Sequence, residues 1–157
     1  MLRRLYYQLF RKAYGASHGT MEIEDLQRQV DSVNEELRAR PTTDPYHTSQ
    51  ERFLAIDADG DDVIVTICSP LMKRVHRYIQ HSAEIVFMDA GGNMDRHNMR
   101  VFLLMTFCAA GGLPLGVLIT TNEQSATITR ALQLYNTLLD HPSFYGRGLT
   151  GLDHRCS

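Results

Sequence analysis

The spacing of apolar residues changes character near residue 52. Before that point they recur every three or four positions. Leu2, Leu5, Leu9, Phe10 and Ala13 share one face of a predicted helix whose other face carries Arg3, Arg4, Arg11 and Lys12. Gly15 and Gly19 interrupt it, and Ile23, Leu26, Val30, Val33 and Leu37 then form a seam that predicts a second helix from about Glu22 to Arg38. Two heptads are too few to specify a coiled coil, so this seam is expected to pack on the rest of the chain. Pro41, Asp44 and Pro45 mark a linker. Beyond Arg52 the pattern becomes that of strands. Phe53–Ile56 and Val63–Ile67 flank Asp59–Gly60, the signal for a hairpin. Pro70 opens a helix to about Gln80, with Leu71, Val75 and Ile79 spaced by four. Strands are expected at Ile85–Met88, Val101–Ala109 and Leu115–Thr120, separated by turns at Gly91–Asn98 and Gly111–Pro114. Thr121 or Asn122 can cap a last helix, Glu123–Leu139, with Ile128, Ala131, Leu132, Tyr135, Leu138 and Leu139 on its apolar face. The tail from Gly146 to Ser157 has no periodicity.

These elements predict an α+β fold. Three antiparallel strands followed by a helix match the opening half of a ribonuclease H-like core, although other α+β domains contain the same meander. Composition adds little: 157 residues suit one domain with an appendage, and 43% hydrophobic with 22% charged residues is ordinary for a globular chain. A net charge of −2 gives no overall electrostatic case for nucleic acid. Locally, Lys73, Arg74, His76 and Arg77 decorate one helix and could touch a DNA backbone, whereas the stretch from Asp57 to Asp62 is acidic. Cys68, Cys108 and Cys156 are odd in number and irregularly spaced, which argues against a disulfide framework and for a reducing intracellular setting. No apolar run approaches the roughly eighteen residues of a membrane span, and the first residues do not read as a signal peptide.

The candidate chemistry centres on Asp89, which closes the apolar run Glu-Ile-Val-Phe-Met at Glu84–Met88. A carboxylate at the end of a core strand can hold a divalent metal against a phosphate. Its plain alternative is an aspartate that caps the following turn. Other constellations fail on spacing. Asp57, Asp59, Asp61 and Asp62 lack the glycine position and closing glutamate of a calcium loop. Cys68, His76 and His81 contain no Cys-x2-Cys pair for zinc. Gly111 and Gly116 have P-loop spacing, but Val117 and Leu118 stand where lysine and serine or threonine are needed. Ser69 has no histidine–aspartate pattern to activate it. Arg96 and His97, in the turn after Asp89, could meet a phosphate.

The block Ile-Val-Phe-Met-Asp-Ala-Gly-Gly-Asn-Met-Asp-Arg-His-Asn at residues 85–98, followed by Gly-Gly-Leu-Pro-Leu-Gly at 111–116, resembles the start of a Mutator-like element (MULE) transposase domain. Ser69–His76 upstream and Thr120–Gly148 downstream, ending Phe-Tyr-Gly-Arg-Gly, resemble the same group of animal transposon-derived proteins. The resemblance runs roughly from Cys68 to Gly148. It implies a ribonuclease H-like fold and a DDE site in which three carboxylates hold two magnesium or manganese ions for cutting and joining DNA. It also implies a nuclear location. Asp89 matches the first acidic residue of that site. Asp95 and Arg96 match a recurring turn and are not expected to be ligands. The second acid is expected after the next apolar strand, and here the chain runs on as Leu-Thr-Gly-Leu-Asp-His-Arg-Cys-Ser. No apolar strand precedes Asp153, and a third acid is absent.

The reading is therefore an incomplete ribonuclease H-like core with a helical N-terminal extension and linker at 1–45, a partial transposase domain at 46–148 and an irregular tail at 149–157. The expected function is that of a DDE-type transposase fragment, inactive alone. DNA is its family partner, reached through Lys73, Arg74, Arg77 and Arg96, and Asp89 is its one metal ligand. The alternative is a non-enzymatic interaction protein that uses its helical seam and a bare sheet edge at Ile85–Met88, with self-association as the consequence.

Overall fold

The computed structural model describes residues 23–60, 62–91, 99–109, 111–140 and 143–146. The helix predicted within residues 1–13 and the tail from 147 lie outside the described residues. In chain order the elements are α1 (Ile23–Ala39), β1 (Leu54–Asp59), β2 (Asp62–Ile67), α2 (Pro70–Tyr78), a 3-10 turn (Gln80–Ala83), β3 (Phe87–Gly91), β4 (Arg100–Cys108), β5 (Gly111–Thr120) and α3 (Ser125–Asn136). The strands form one antiparallel sheet in the order β1-β2-β5-β4-β3, and with the three helices this is an α+β fold. The meander β3-β4-β5 makes up one side, and the hairpin β1-β2 extends the sheet from its other side by pairing β2 with β5. The hairpin therefore lies away from β3, which among the described residues pairs on one side only, with β4.

Local chemistry explains most boundaries. Asp59 pairs with Asp62, so the hairpin turns over two residues, and Gly60 supplies the left-handed φ of +61° that such a turn needs. Ser69 caps α2 by accepting from the Met72 amide at 3.4 Å, with Pro70 in the first turn where its missing N–H costs nothing. One expectation is corrected. Gly111–Pro114 is strand, not turn: Cys108 pairs with Gly111 and Thr106 with Leu113. Leu104 then faces Gly116 while Met105 faces Pro114, which leaves Leu115 as the extra residue of a bulge. That irregularity is where a strand tolerates a proline that cannot donate.

Paired residues of antiparallel strands project to the same face, so register sorts the sheet into two sides. One side is covered by α2 and α3. There Ala55, Ile64, Phe102, Leu104 and Leu118 pack with Val75, Ala131, Tyr135, Leu138 and Phe144 into the core. The other side carries the row Leu54, Ile67, Val117, Leu103 and Asp89, one residue from each strand in turn. Leu103 remains 41% exposed and Phe107 44%, so the β3–β4 part of this apolar side is open to solvent. The α1 helix packs against β1. Its predicted seam does only part of that work: Val30 and Asn34 are buried, while Ile23 and Val33 are exposed. Asn34 grips the start of β1, with Oδ1 accepting from the Phe53 and Leu54 amides at 2.8 and 3.0 Å and Nδ2 donating to the Leu54 carbonyl at 2.9 Å.

Gly116 lies against the ring of Tyr135, where an added Cβ would come within 2.4 Å of a ring carbon. Tyr135 is buried and cannot swing away. Gly116→Ala should therefore destabilise the fold by about 2 kcal/mol, the usual scale of overpacking, read as a lower urea midpoint at unchanged slope.

Candidate functional site

Asp89 is the centre of β3, opposite Leu103 of β4, and it is exposed. The strand begins two residues later than the apolar run suggests. The Glu84 and Ile85 amides donate to the His81 carbonyl at 3.1 and 3.2 Å, and this turn holds the chain out of the sheet until Phe87. Asp89 thus sits inside a strand rather than at its end, and among the described residues that strand is an edge of the sheet. Among the described residues, no group of three or more histidine, cysteine, aspartate or glutamate side chains could hold a metal ion. One carboxylate does not fit a two-metal centre, which needs a bridging ligand and further carboxylates on each ion. Asp95, Arg96 and His97 lie outside the described residues.

The basic helix is built differently from the phosphate-facing surface its sequence suggests. Arg74 is exposed, but Lys73 is 3% and Arg77 6% exposed. Arg77 is held by Asp44 at 2.6 Å, by Glu51 at 2.7 Å and by Asp140. Lys73 Nζ donates to the Leu138 carbonyl at 2.8 Å and lies 3.2 Å from Glu51. Phe53 and Tyr46 place their rings beside Lys73 and Arg77 respectively. His47 completes the cluster, bonding Glu51 at 2.8 Å and the Arg38 carbonyl at 3.1 Å. A buried cation is stable only with such partners. Burial pulls the Arg77 pKa down, but hydrogen bonds to Asp140 and Glu51 outweigh that and hold it above its ordinary range. Lys73 and Arg77 thus turn into the protein and bond its own carboxylates and carbonyl, rather than standing on the solvent face of the helix as the sequence suggests.

A second polar cluster lies within the core. His76 is fully buried. Its Nε2 lies 2.7 Å from the Tyr135 hydroxyl, which donates to the Leu115 carbonyl, also at 2.7 Å. That pattern assigns the proton to Nε2 and leaves Nδ1 as a lone pair, and Nδ1 indeed has no partner. Phe144 packs edge-on to the imidazole at 4.5 Å between centroids. The neighbouring Tyr145 amide donates to the His76 carbonyl at 2.7 Å. Phe144 and Tyr145 both take left-handed backbone angles, at about 1–2 kcal/mol each, a strain offset by these contacts. Burial, reinforced by the charges of Lys73 and Arg77, pushes the His76 pKa down to about 4. Cys68, 3.9 Å from the Tyr135 hydroxyl, is pushed up to about 12 by burial and is no nucleophile.

The acidic hairpin also has structural work. Asp62 accepts from Asn122 Nδ2 at 2.7 Å and from the Thr121 hydroxyl at 3.1 Å, and Asp57 pairs with Arg130 at 2.6 Å. These contacts fasten the hairpin to the β5–α3 corner. The last helix starts at Ser125, with no side-chain bond from its N-cap Gln124. The chain matches no family model, no curated protein and no solved structure.

Two measurements follow. Arg77→Met leaves Glu51, Asp44 and Asp140 facing an apolar group, and should cost about 3–5 kcal/mol in urea unfolding. Arg74→Ala should stay within about 0.5 kcal/mol. The second concerns pH. A histidine whose folded pKa lies below its ordinary 6.5 supports the fold fully above pH 6.5, and that support is lost as pH falls toward about 4. At about 1.4 kcal/mol per pKa unit the loss is about 3 kcal/mol, and His76→Gln should flatten the stability profile across that window. Asp44, held below its ordinary 3.8 by the Tyr46 amide and Arg77 despite its burial, contributes only to losses at still lower pH.

Proposed function

We propose that the segment from β3 through α3 is the opening part of a ribonuclease H-like core of the Mutator-like DDE kind, with Asp89 as its first-strand carboxylate. On this reading the described residues do not cut DNA by themselves. The observation that carries it is the position of Asp89 on the outer strand of an antiparallel meander whose following helix folds back on the sheet. A two-metal site needs further carboxylates, and on this reading they arrive on a strand laid against the open side of β3. DNA as partner, magnesium or manganese as cofactor and a nuclear location all belong to this proposal. Arg74, and Arg96 outside the described residues, are then the side chains proposed to meet a phosphate. No helix among the described residues is long and apolar enough to cross a membrane.

A second reading has its own observation. On the open side of the sheet the β3 edge carries exposed Phe87 beside Leu103 and Phe107 of β4, a patch suited to covering by another chain. The chain then works as an interaction module without chemistry.

Plasmid nicking with manganese tests the first reading. The chain alone should leave supercoiled DNA intact. A folded chimera that continues residue 140 into the remaining core of a Mutator-like transposase should nick it, and Asp89→Ala in that chimera should abolish the cut. A folded chimera that is inactive, or equally active without Asp89, overturns the proposal.

A further inference from the structure

The open edge of β3 carries its own rule for what can pair with it. Its five residues are Phe87, Met88, Asp89, Ala90 and Gly91. Two copies meeting antiparallel at full overlap would set Phe87 against Gly91, Met88 against Ala90, and Asp89 against Asp89. By size this edge fits itself, because a glycine opposite an aromatic ring leaves room for the ring to lie across it. By charge it repels itself, because two carboxylates directly opposite are destabilising. Asp89 also lies on the open apolar side of the sheet, in the row with Leu103 and Val117, so its charge stands among exposed apolar groups. A charged side chain on an edge strand is a known guard against edge-to-edge pairing.

We propose that β3 is a strand-addition site selective for an extended segment of another molecule with a lysine or arginine opposite Asp89, and that the same carboxylate excludes a second copy of this chain. The proposal rests on the interaction reading above and needs neither metal nor DNA. Main-chain hydrogen bonds along the edge supply attachment, and the ion pair at the centre supplies register and choice of partner. The occupant carries small residues opposite Phe87 and Met88, as Gly91 and Ala90 would be in a second copy.

The Asp89→Lys variant of the full chain is the probe, because its β3 has the right sizes and the opposite central charge. Sedimentation velocity at about 100 µM, in the range where open edges pair, compares three samples in the presence of a chelator. The wild-type chain alone and the variant alone should each sediment as monomers. Their equimolar mixture should form heterodimers, with amide exchange slowed at residues 87–91 in both chains. The mixture should associate roughly fivefold or more tightly than either homodimer, the scale of swapping a like-charge for an opposite-charge cross-strand pair. Association of all three samples with equal strength would leave the edge reading standing and overturn the role of Asp89. Three monomeric samples, with no change in exchange at β3, would overturn the strand-addition site itself. Either result leaves the nicking experiment untouched, so the two proposals fail separately.

Discussion

The buried guanidinium of Arg77 ties together parts of the chain that lie far apart in sequence. Asp44 and Glu51 belong to the irregular segment between α1 and β1, and Asp140 follows α3. Without them Arg77 would be an uncompensated charge in a low-dielectric setting. Without Arg77 three carboxylates would crowd one another. The cost of separating them is what pins the segment after α1 and the end of α3 onto α2. Lys73 and His47 widen the same cluster, so α2 faces the protein with its charges as well as with Val75. The helix that looks most like a nucleic-acid contact is thereby turned into an internal clamp.

How much of this could be read beforehand depends on the range of the interaction. The hairpin, α1 and α2 were legible because their signals are local: an Asp-Gly turn, a three-four apolar repeat, a serine before a proline. The α+β class followed from those. The extension of β5 back to Gly111 was hidden because glycine and proline signal a turn in isolation, and only the bulge at Leu115 lets a strand keep them. The Arg77 cluster was hidden because its partners lie 33, 26 and 63 residues away. A weak signal existed: Lys73 and Arg77 are four apart and so lie side by side on the helix, where opposite charges can hold both. The supposed apolar stripe Leu71–Val75–Ile79 is the poorer guide, since Leu71 ends up more than half exposed.

The candidate site divides in the same way. Asp89 can be singled out from sequence because an acid after a run of apolar residues is unusual. Whether it stands at a buried junction or on a free border depends on which strands flank it, and pairing across the sheet is not written in any local pattern. Among the described residues β3 has one neighbour, β4, and its carboxylate belongs to no group of three or more possible metal ligands. Both functional readings therefore turn on the same vacant side of the same strand, one through what a following segment would bring and the other through what a separate molecule would.

The close approach of Gly116 and Tyr135 has a consequence for how this protein can change over time. The two positions share a single volume, with the ring filling the space a side chain at 116 would take. The Tyr135 hydroxyl also joins the Leu115 carbonyl to His76. A bulkier residue at 116 is thus admissible only alongside a smaller one at 135, and that exchange would remove the hydroxyl from both the Leu115 carbonyl and the imidazole, leaving them to bond each other across 3.2 Å. Drift at either position is locked to its counterpart and to the histidine, so these three residues should be inherited as a set or replaced as a set.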